Sequence, residues 1–216
     1  MSKQVAVILA GCGVFDGSEI NEVVLTLLAL EEQSVGYQCF APNIEQAHVL
    51  DHLTGEEQSG SRNVLQEAAR IVRGKVKDIA ELDVSQYDGL IMTGGFGVAK
   101  NLSSLAFKGA EFDVLPCVAK TMKAFYAAGK IAGYMCIAPV LLPKVFEGVK
   151  CTIGHDPETA AVITSLGGKH VECQVNEITI DEHYKVVTTP AYMLADNLIQ
   201  AKSGIDKLVA SVCKAL

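Results

Sequence analysis

The feature that most constrains this chain is an alternation. Apolar, Val- and Ile-rich runs of strand length are separated by longer amphipathic stretches. Residues 5–10 read as a first strand, and 19–32 as a helix with Ile20, Val23, Val24, Leu27 and Leu28 on one face, capped by Asp16 or Ser18. A strand over 37–41 is closed by Pro42, and 61–73 reads as a helix. Residues 90–93 form a short buried strand running into Gly94-Gly95-Phe96-Gly97, and 112–128 a long helix ended by Gly129. A strand ending at Cys136 passes into a helix over 137–145. A strand at 151–153, a helix at 157–166, strands near 171–173, 177–180 and 186–188, and a terminal helix over 191–216 broken or kinked near Gly204 complete the pattern. Residues 43–60 are polar and read as a loop or a small excursion over the sheet's edge. Such alternation predicts an α/β fold with a mainly parallel sheet and helices on both faces. No linker and no internal repeat interrupts it, so residues 1–216 are expected to form one domain.

Composition excludes several functions. The net charge is −7, the only arginines are Arg62, Arg70 and Arg73, and no Lys/Arg run occurs, so nucleic acid and anionic membranes are poor partners. The longest apolar stretches fall well short of the ~20 residues that span a bilayer. The first residues show neither a signal-peptide core nor an Arg-rich presequence, which predicts cytoplasmic residence, with a trimmed organellar precursor as the alternative. Seven cysteines are scattered through the chain and none forms a C-x-x-C pair, which argues against a zinc site, a dithiol motif or a disulfide framework.

Among those cysteines, Cys136 lies where an apolar run turns into the next element. A thiol at a strand-to-helix turn faces N–H groups that stabilise a thiolate or an oxyanion, as in the nucleophile elbow of hydrolases. An inert core cysteine is the competing reading. In a parallel sheet three strand-end loops converge near Cys136. The loop 11–19 delivers Glu19, the glycines of 94–97 let backbone N–H groups approach a ligand, and the cysteine turn supplies the thiol. A carboxyl, backbone donors and a thiol are the parts of carbonyl chemistry. Each part has a second reading. Glu19 could only complement the helix dipole, Gly94-Gly95 could be a plain turn, and Cys12 could line the cavity or respond to oxidants. His155 could simply begin the following helix. Gly11, Gly13 and Gly17 are spaced G-x-G-x-x-x-G, which does not fit a dinucleotide loop.

The order strand–Glu, strand–Gly-Gly, strand–Cys–helix resembles the class I glutamine-amidotransferase-like superfamily, with its PfpI-type proteases and thiol-dependent glyoxalases. The strings GCGVFDGSEI (11–20), HLTGE (52–56), GGFGVAKNLS (94–103), MCIAP (135–139) and TTPAYMLA (188–195) are similar to the ElbB family, the enhancing-lycopene-biosynthesis or isoprenoid biosynthesis glyoxalase proteins. The resemblance covers essentially the whole chain. It implies a three-layer flavodoxin-like sandwich, a homodimer, and glyoxalase activity on a small aldehyde with no cofactor and no metal. By position it makes Cys136 the nucleophile, Glu19 its carboxyl partner, and the N–H groups of Gly95 and Ile137 the oxyanion donors. Cys12, Gly94, Phe96, Asn101 and His155 are the candidate pocket residues. Two departures narrow the chemistry. True amidotransferases carry a triad His near a late strand, where this chain has Thr188-Thr189-Pro190-Ala191-Tyr192; PfpI-type proteases have a His after the cysteine, where this chain has Ile137. A redox-sensing regulatory protein is the alternative to the glyoxalase. An amidotransferase-type hydrolase, which would need His155 as its base, is third.

Overall fold

The computed structural model describes residues 3–216. Among the described residues nine strands form: β1 (Gln4–Ile8), β2 (Gly36–Ala41), β3 (Val76–Asp78), β4 (Gly89–Met92), β5 (Ile131–Met135), β6 (Lys150–Cys151), β7 (Lys169–His170), β8 (Thr179–Asp181) and β9 (Val186–Thr189). Seven of them build the central sheet in the order β3-β2-β1-β4-β5-β9-β8. All neighbours are parallel except β8 and β9, which pair antiparallel at the edge. β6 and β7 form a separate parallel pair. The helices are α1 (Ile20–Glu32), α2 (Val64–Ile71), α3 (Phe96–Lys100), α4 (Leu105–Lys108), α5 (Pro116–Ala127), α6 (Pro157–Ser165) and α7 (Leu198–Lys214).

Both sheet faces are covered. Along β1 and just beyond it, Val5, Val7 and Leu9 enter one core with α1, α2 and α7, while Ala6, Ile8 and Ala10 enter the other with α5 and α6. A strand buried on two sides reads as a continuous apolar run, which explains why β1, β4 and β5 were legible. The three-layer, flavodoxin-like expectation is borne out.

Several boundaries differ, each for a physical reason. The long helix expected from 112 starts at Pro116, whose fixed φ suits the first helical position and whose missing N–H is no loss there. The helix expected from 61 starts at Val64, because Asn63 accepts from Gln66 N as its cap. The terminal helix does not begin at 191; a 3-10 turn, Ala191–Met193, precedes α7, which starts after the Asn197 cap and runs through Gly204 without a break. Glycine is required there by packing, since a Cβ at 204 would lie 2.4 Å from the Val175 carbonyl oxygen. The strand expected at 171–173 is replaced by β7 two residues earlier, and β3 was not foreseen. The excursion 43–60 is held by isolated bridges, Glu45 to Asn63 and Leu50 to Glu57.

The helical face assigned to α1 is also corrected. Its buried residues are Glu22, Val23, Thr26, Ala29 and Leu30, whereas Ile20, Val24 and Leu28 are exposed at 41%, 48% and 41%. Apolar residues occupy most of the circumference of α1, so periodicity alone cannot set its phase.

Candidate functional site

The loops after β1, β4 and β5 do meet. Cys136 follows β5 directly and takes φ 59°, a left-handed conformation that costs a non-glycine residue on the order of 1–3 kcal/mol. Its backbone N–H donates to the Thr189 carbonyl at 3.1 Å, which ties the bend to the end of β9. The following element is the 3-10 helix Ala138–Lys144 rather than an α-helix. Pro139 and Pro143 each lack an N–H to donate to that helix's ladder. The bend leaves the Cys136 residue 8% exposed, with its sulfur accepting hydrogen bonds from the N–H groups of Gly95 and Ile137.

Gly94 and Gly95 are glycines because the site leaves no room for a Cβ. At 94 it would lie 2.4 Å from Cys136 Cβ and 2.8 Å from both Cys136 Sγ and Glu22 Oε2. Gly95 takes φ +96°, and a Cβ there would lie 2.4 Å from Glu19 N and Gly17 O. The Gly94 N–H donates to Glu22 Oε2 at 2.8 Å, and Tyr192 N–H donates to Glu22 Oε1 at 3.2 Å.

The carboxyl group against the thiol is therefore Glu22. It is fully buried and hydrogen-bonds the Cys136 side chain. Glu19, expected in that place, instead caps α1: its Oε2 accepts from Glu22 N at 2.6 Å and its Oε1 from Asn21 Nδ2 at 3.3 Å. The caps first expected are engaged elsewhere. Ser18 Oγ accepts from Ala10 N at 2.7 Å, and Asp16 Oδ2 from Leu50 N at 2.8 Å. A carboxyl on the buried face of an apolar helix, one turn after a cap, was the available signal for Glu22. The misassigned phase of α1 hid it.

Burial, then the charge of Glu19, pushes Glu22 up to about 7, against the opposing pull of the Gly94 and Tyr192 N–H groups. The Cys136 thiol is also pushed well up, first by burial and then by Glu22; the Gly95 and Ile137 N–H groups oppose this without overcoming it. Burial and Glu22 thus outweigh the thiolate stabilisation expected of a turn into a helix N-terminus. Two acids in contact share protons, and the pair is the titrating unit.

The candidate pocket residues fall into two groups. Gly94 touches the thiol, and Phe96 is half exposed just beyond Gly95, with its N–H on Val14 O. Asn101, Cys12 and His155 do other things. Asn101 Nδ2 donates to Ala10 O and Asp16 O while its Oδ1 accepts from Ala47 N, so its amide fastens the β1 loop to the excursion. Cys12 is half-buried and feels Glu67, Arg70, Asp16 and Arg62; burial raises its thiol. His155 is exposed and precedes Asp156, whose carboxylate accepts from Thr159 N to cap α6. The stretch without a triad His contributes backbone instead: the Thr189 carbonyl to Cys136, and the Tyr192 N–H to Glu22. Ala191 between them is left-handed, with φ 45°.

No protein-family model matches the chain. The Homo sapiens glutamine amidotransferase-like class 1 domain-containing protein 3, mitochondrial, is 45% identical over 221 residues, covering 98% of this chain and 82% of that protein. The crystal structure of an isoprenoid biosynthesis protein with amidotransferase-like domain from Ehrlichia chaffeensis superposes with a TM-score of 0.91 at 39% identity, covering 99% of each chain. Drosophila melanogaster DJ-1beta, at 16% identity and a TM-score of 0.60 over 99% of this chain and 91% of that one, shares the fold. The relatives overturn the expectation of cytoplasmic residence, because the human protein and the rat and zebrafish ES1 proteins are all mitochondrial. Among the described residues no helix is long and apolar enough to cross a membrane. With this identity across nearly its whole length, and with the cysteine bend, the glycine pair and the buried carboxyl in one place, the chain belongs to the glutamine amidotransferase-like class 1 (ES1) family, the group of the ElbB proteins, on the DJ-1/ThiJ/PfpI form of the flavodoxin-like fold.

Proposed function

We propose that the protein is a cofactor-independent glyoxalase that converts glyoxal, and methylglyoxal by the same route, to the 2-hydroxy acid. The observation that carries this reading is the Cys136–Glu22 contact, a nucleophile beside a carboxyl that titrates at about 7, with two N–H groups aimed at the sulfur. General acid–base groups work best with a pKa near the working pH.

In the proposed reaction the Glu22 carboxylate takes the thiol proton as the Cys136 sulfur attacks one aldehyde carbon. The C=O electron pair moves to oxygen, which takes that proton from Glu22 and gives a hemithioacetal. The Glu22 carboxylate then removes the hydrogen from that carbon, and the second carbonyl oxygen takes a proton from water, leaving hydroxide, to complete an enediol. Glu22 returns the proton to the second carbon as the first C–OH gives its proton to that hydroxide and becomes a thioester carbonyl. Water hydrolyses the thioester, releasing glycolate from glyoxal and restoring the thiol. Gly95 and Ile137 hold the oxyanion of the addition and hydrolysis steps, each such donor being worth about 3 kcal/mol of barrier. Among the described residues no histidine acts on the thiol, which suits a substrate whose acidic C–H needs only a carboxylate.

The isoprenoid biosynthesis setting of the Ehrlichia relative is carried to this chain as part of the same proposal, as is a homodimer. The exposed Ile20, Val24 and Leu28, one turn apart along α1, are the dimer surface it would use. Glyoxal consumption and glycolate formation by wild type, Cys136→Ala and Glu22→Gln test the reaction. We expect loss of turnover in Cys136→Ala and a fall of about 10²-fold or more in Glu22→Gln. Undiminished turnover in Cys136→Ala would leave the regulatory, non-catalytic reading in its place.

A further inference from the structure

Glu19 is left without a part in that chemistry, yet it occupies a particular place. Glu22 is 0% exposed, Cys136 8% and Glu19 9%, so Glu19 is the more accessible of the two carboxyl groups gathered near the thiol. Its backbone N–H donates to the Gly94 carbonyl at 3.1 Å, which places it against the glycines that touch the thiol. Its two carboxylate oxygens are fixed by Glu22 N and by the Asn21 amide. The Asn21 amide also hydrogen-bonds the Tyr192 phenol, and that phenol lies within the field of both Glu19 and Glu22. A carboxylate, an amide and a phenol therefore stand beside the buried pair in one connected arrangement.

No cation balances it. The ion pairs among the described residues leave Glu19 and Glu22 without a lysine, arginine or histidine partner. Sites that accept carboxylates or phosphates present cations or free N–H groups to them. Glu19 presents the opposite charge, fixed by its hydrogen bonds and partly desolvated, where screening by salt is weak.

We propose that Glu19 is a specificity-determining residue of the Cys136 site. Its carboxylate turns away anionic electrophiles and restricts the thiol to small neutral carbonyl compounds, such as uncharged 1,2-dicarbonyls as against 2-oxo acids or phosphorylated aldehydes. The choice of carbonyl compounds rests on the reaction proposed above, but the charge selection does not require turnover.

The test is alkylation of Cys136 by neutral iodoacetamide and anionic iodoacetate at pH 8.5, read at this residue by peptide mass spectrometry. Both reagents meet the same thiolate, so the ratio of their rates cancels the fraction ionised and isolates the field at the sulfur. Glu19→Gln is expected to raise the iodoacetate-to-iodoacetamide ratio about tenfold, the order expected when one partly screened unit charge is removed beside an approaching anion. Glu182→Gln, an exposed control that changes net charge equally, is expected to leave it alone. Should Glu19→Gln not fold, Glu19→Ser keeps a capping oxygen without the charge and gives the same readout. An unchanged ratio in a folded variant overturns the proposal. A raised ratio in a protein that does not consume glyoxal upholds it and removes the glyoxalase reading instead.

Discussion

Glu22 is a carboxyl group with two backbone N–H donors, a thiol beside it and, among the described residues, no ion-pair partner. Burial, then the charge of Glu19, pushes its carboxyl up from 4.5 to about 7, so the native state binds this proton of the pair more tightly than the unfolded chain does. That proton contributes roughly 3 kcal/mol, fully present below about pH 4.5 and lost as pH rises through 7. Denaturant unfolding between pH 5 and 8 is expected to show wild type losing stability with pH. In Glu22→Gln the slope should flatten by about that amount. The variant will be the weaker protein at pH 5, because an amide offers only one oxygen to the Gly94 and Tyr192 N–H groups. Removing the charge also lifts one cause of the raised Cys136 thiol, so thiolate absorbance should appear at lower pH in Glu22→Gln even as turnover falls. An unmoved thiol midpoint would count against the contact. Cys136 could be found in the sequence because an apolar run ended on it. Glu22 could not, because Glu19 and Glu22 lie within one turn and only the rotation of α1 decides which faces the sheet.

The site is assembled at the ends of elements, with little freedom. Gly94 illustrates the constraint: Gly94→Ala would drive a methyl group into Cys136 and Glu22 at distances of 2.4–2.8 Å. Overpacking of this kind costs about 1–3 kcal/mol. Guanidinium denaturation should detect that loss, and the displaced carboxyl should lower glyoxal turnover more than the stability change alone explains. Wild-type turnover and stability in this variant would mean that the glycine pair is an ordinary turn. Elements buried on both faces, β1, β4 and β5, were readable as apolar runs, whereas β3 and β7, two or three residues each, offer too few positions for a pattern. Pro139 and Pro143, poor residues for an α-helical ladder, account for the 3-10 geometry after Cys136 where a helix was expected.

For the whole molecule, the parallel order β2-β1-β4-β5-β9 places the ends of β1, β4, β5 and β9 side by side, so four loops contribute to one site. On the outer surface of α1 the Ile20, Val24 and Leu28 stripe remains uncovered, and light scattering after size exclusion is expected to show a homodimer that Val24→Glu converts to monomer. A wild-type monomer at micromolar concentration would remove that part of the proposal. The sequence by itself determined the α/β class, the parallel sheet, the family resemblance and the cysteine at the bend. These rest on local periodicity and on strings of residues, which any linear reading can register. Tertiary structure alone decided that Glu22 rather than Glu19 meets the thiol, and that Asn101 ties loops together. It also decided that the segment lacking a histidine serves through its backbone, and that burial raises both acids. Each of these depends on the rotation of a helix or on a contact between residues far apart in the chain, and such information exists only once the layers have packed.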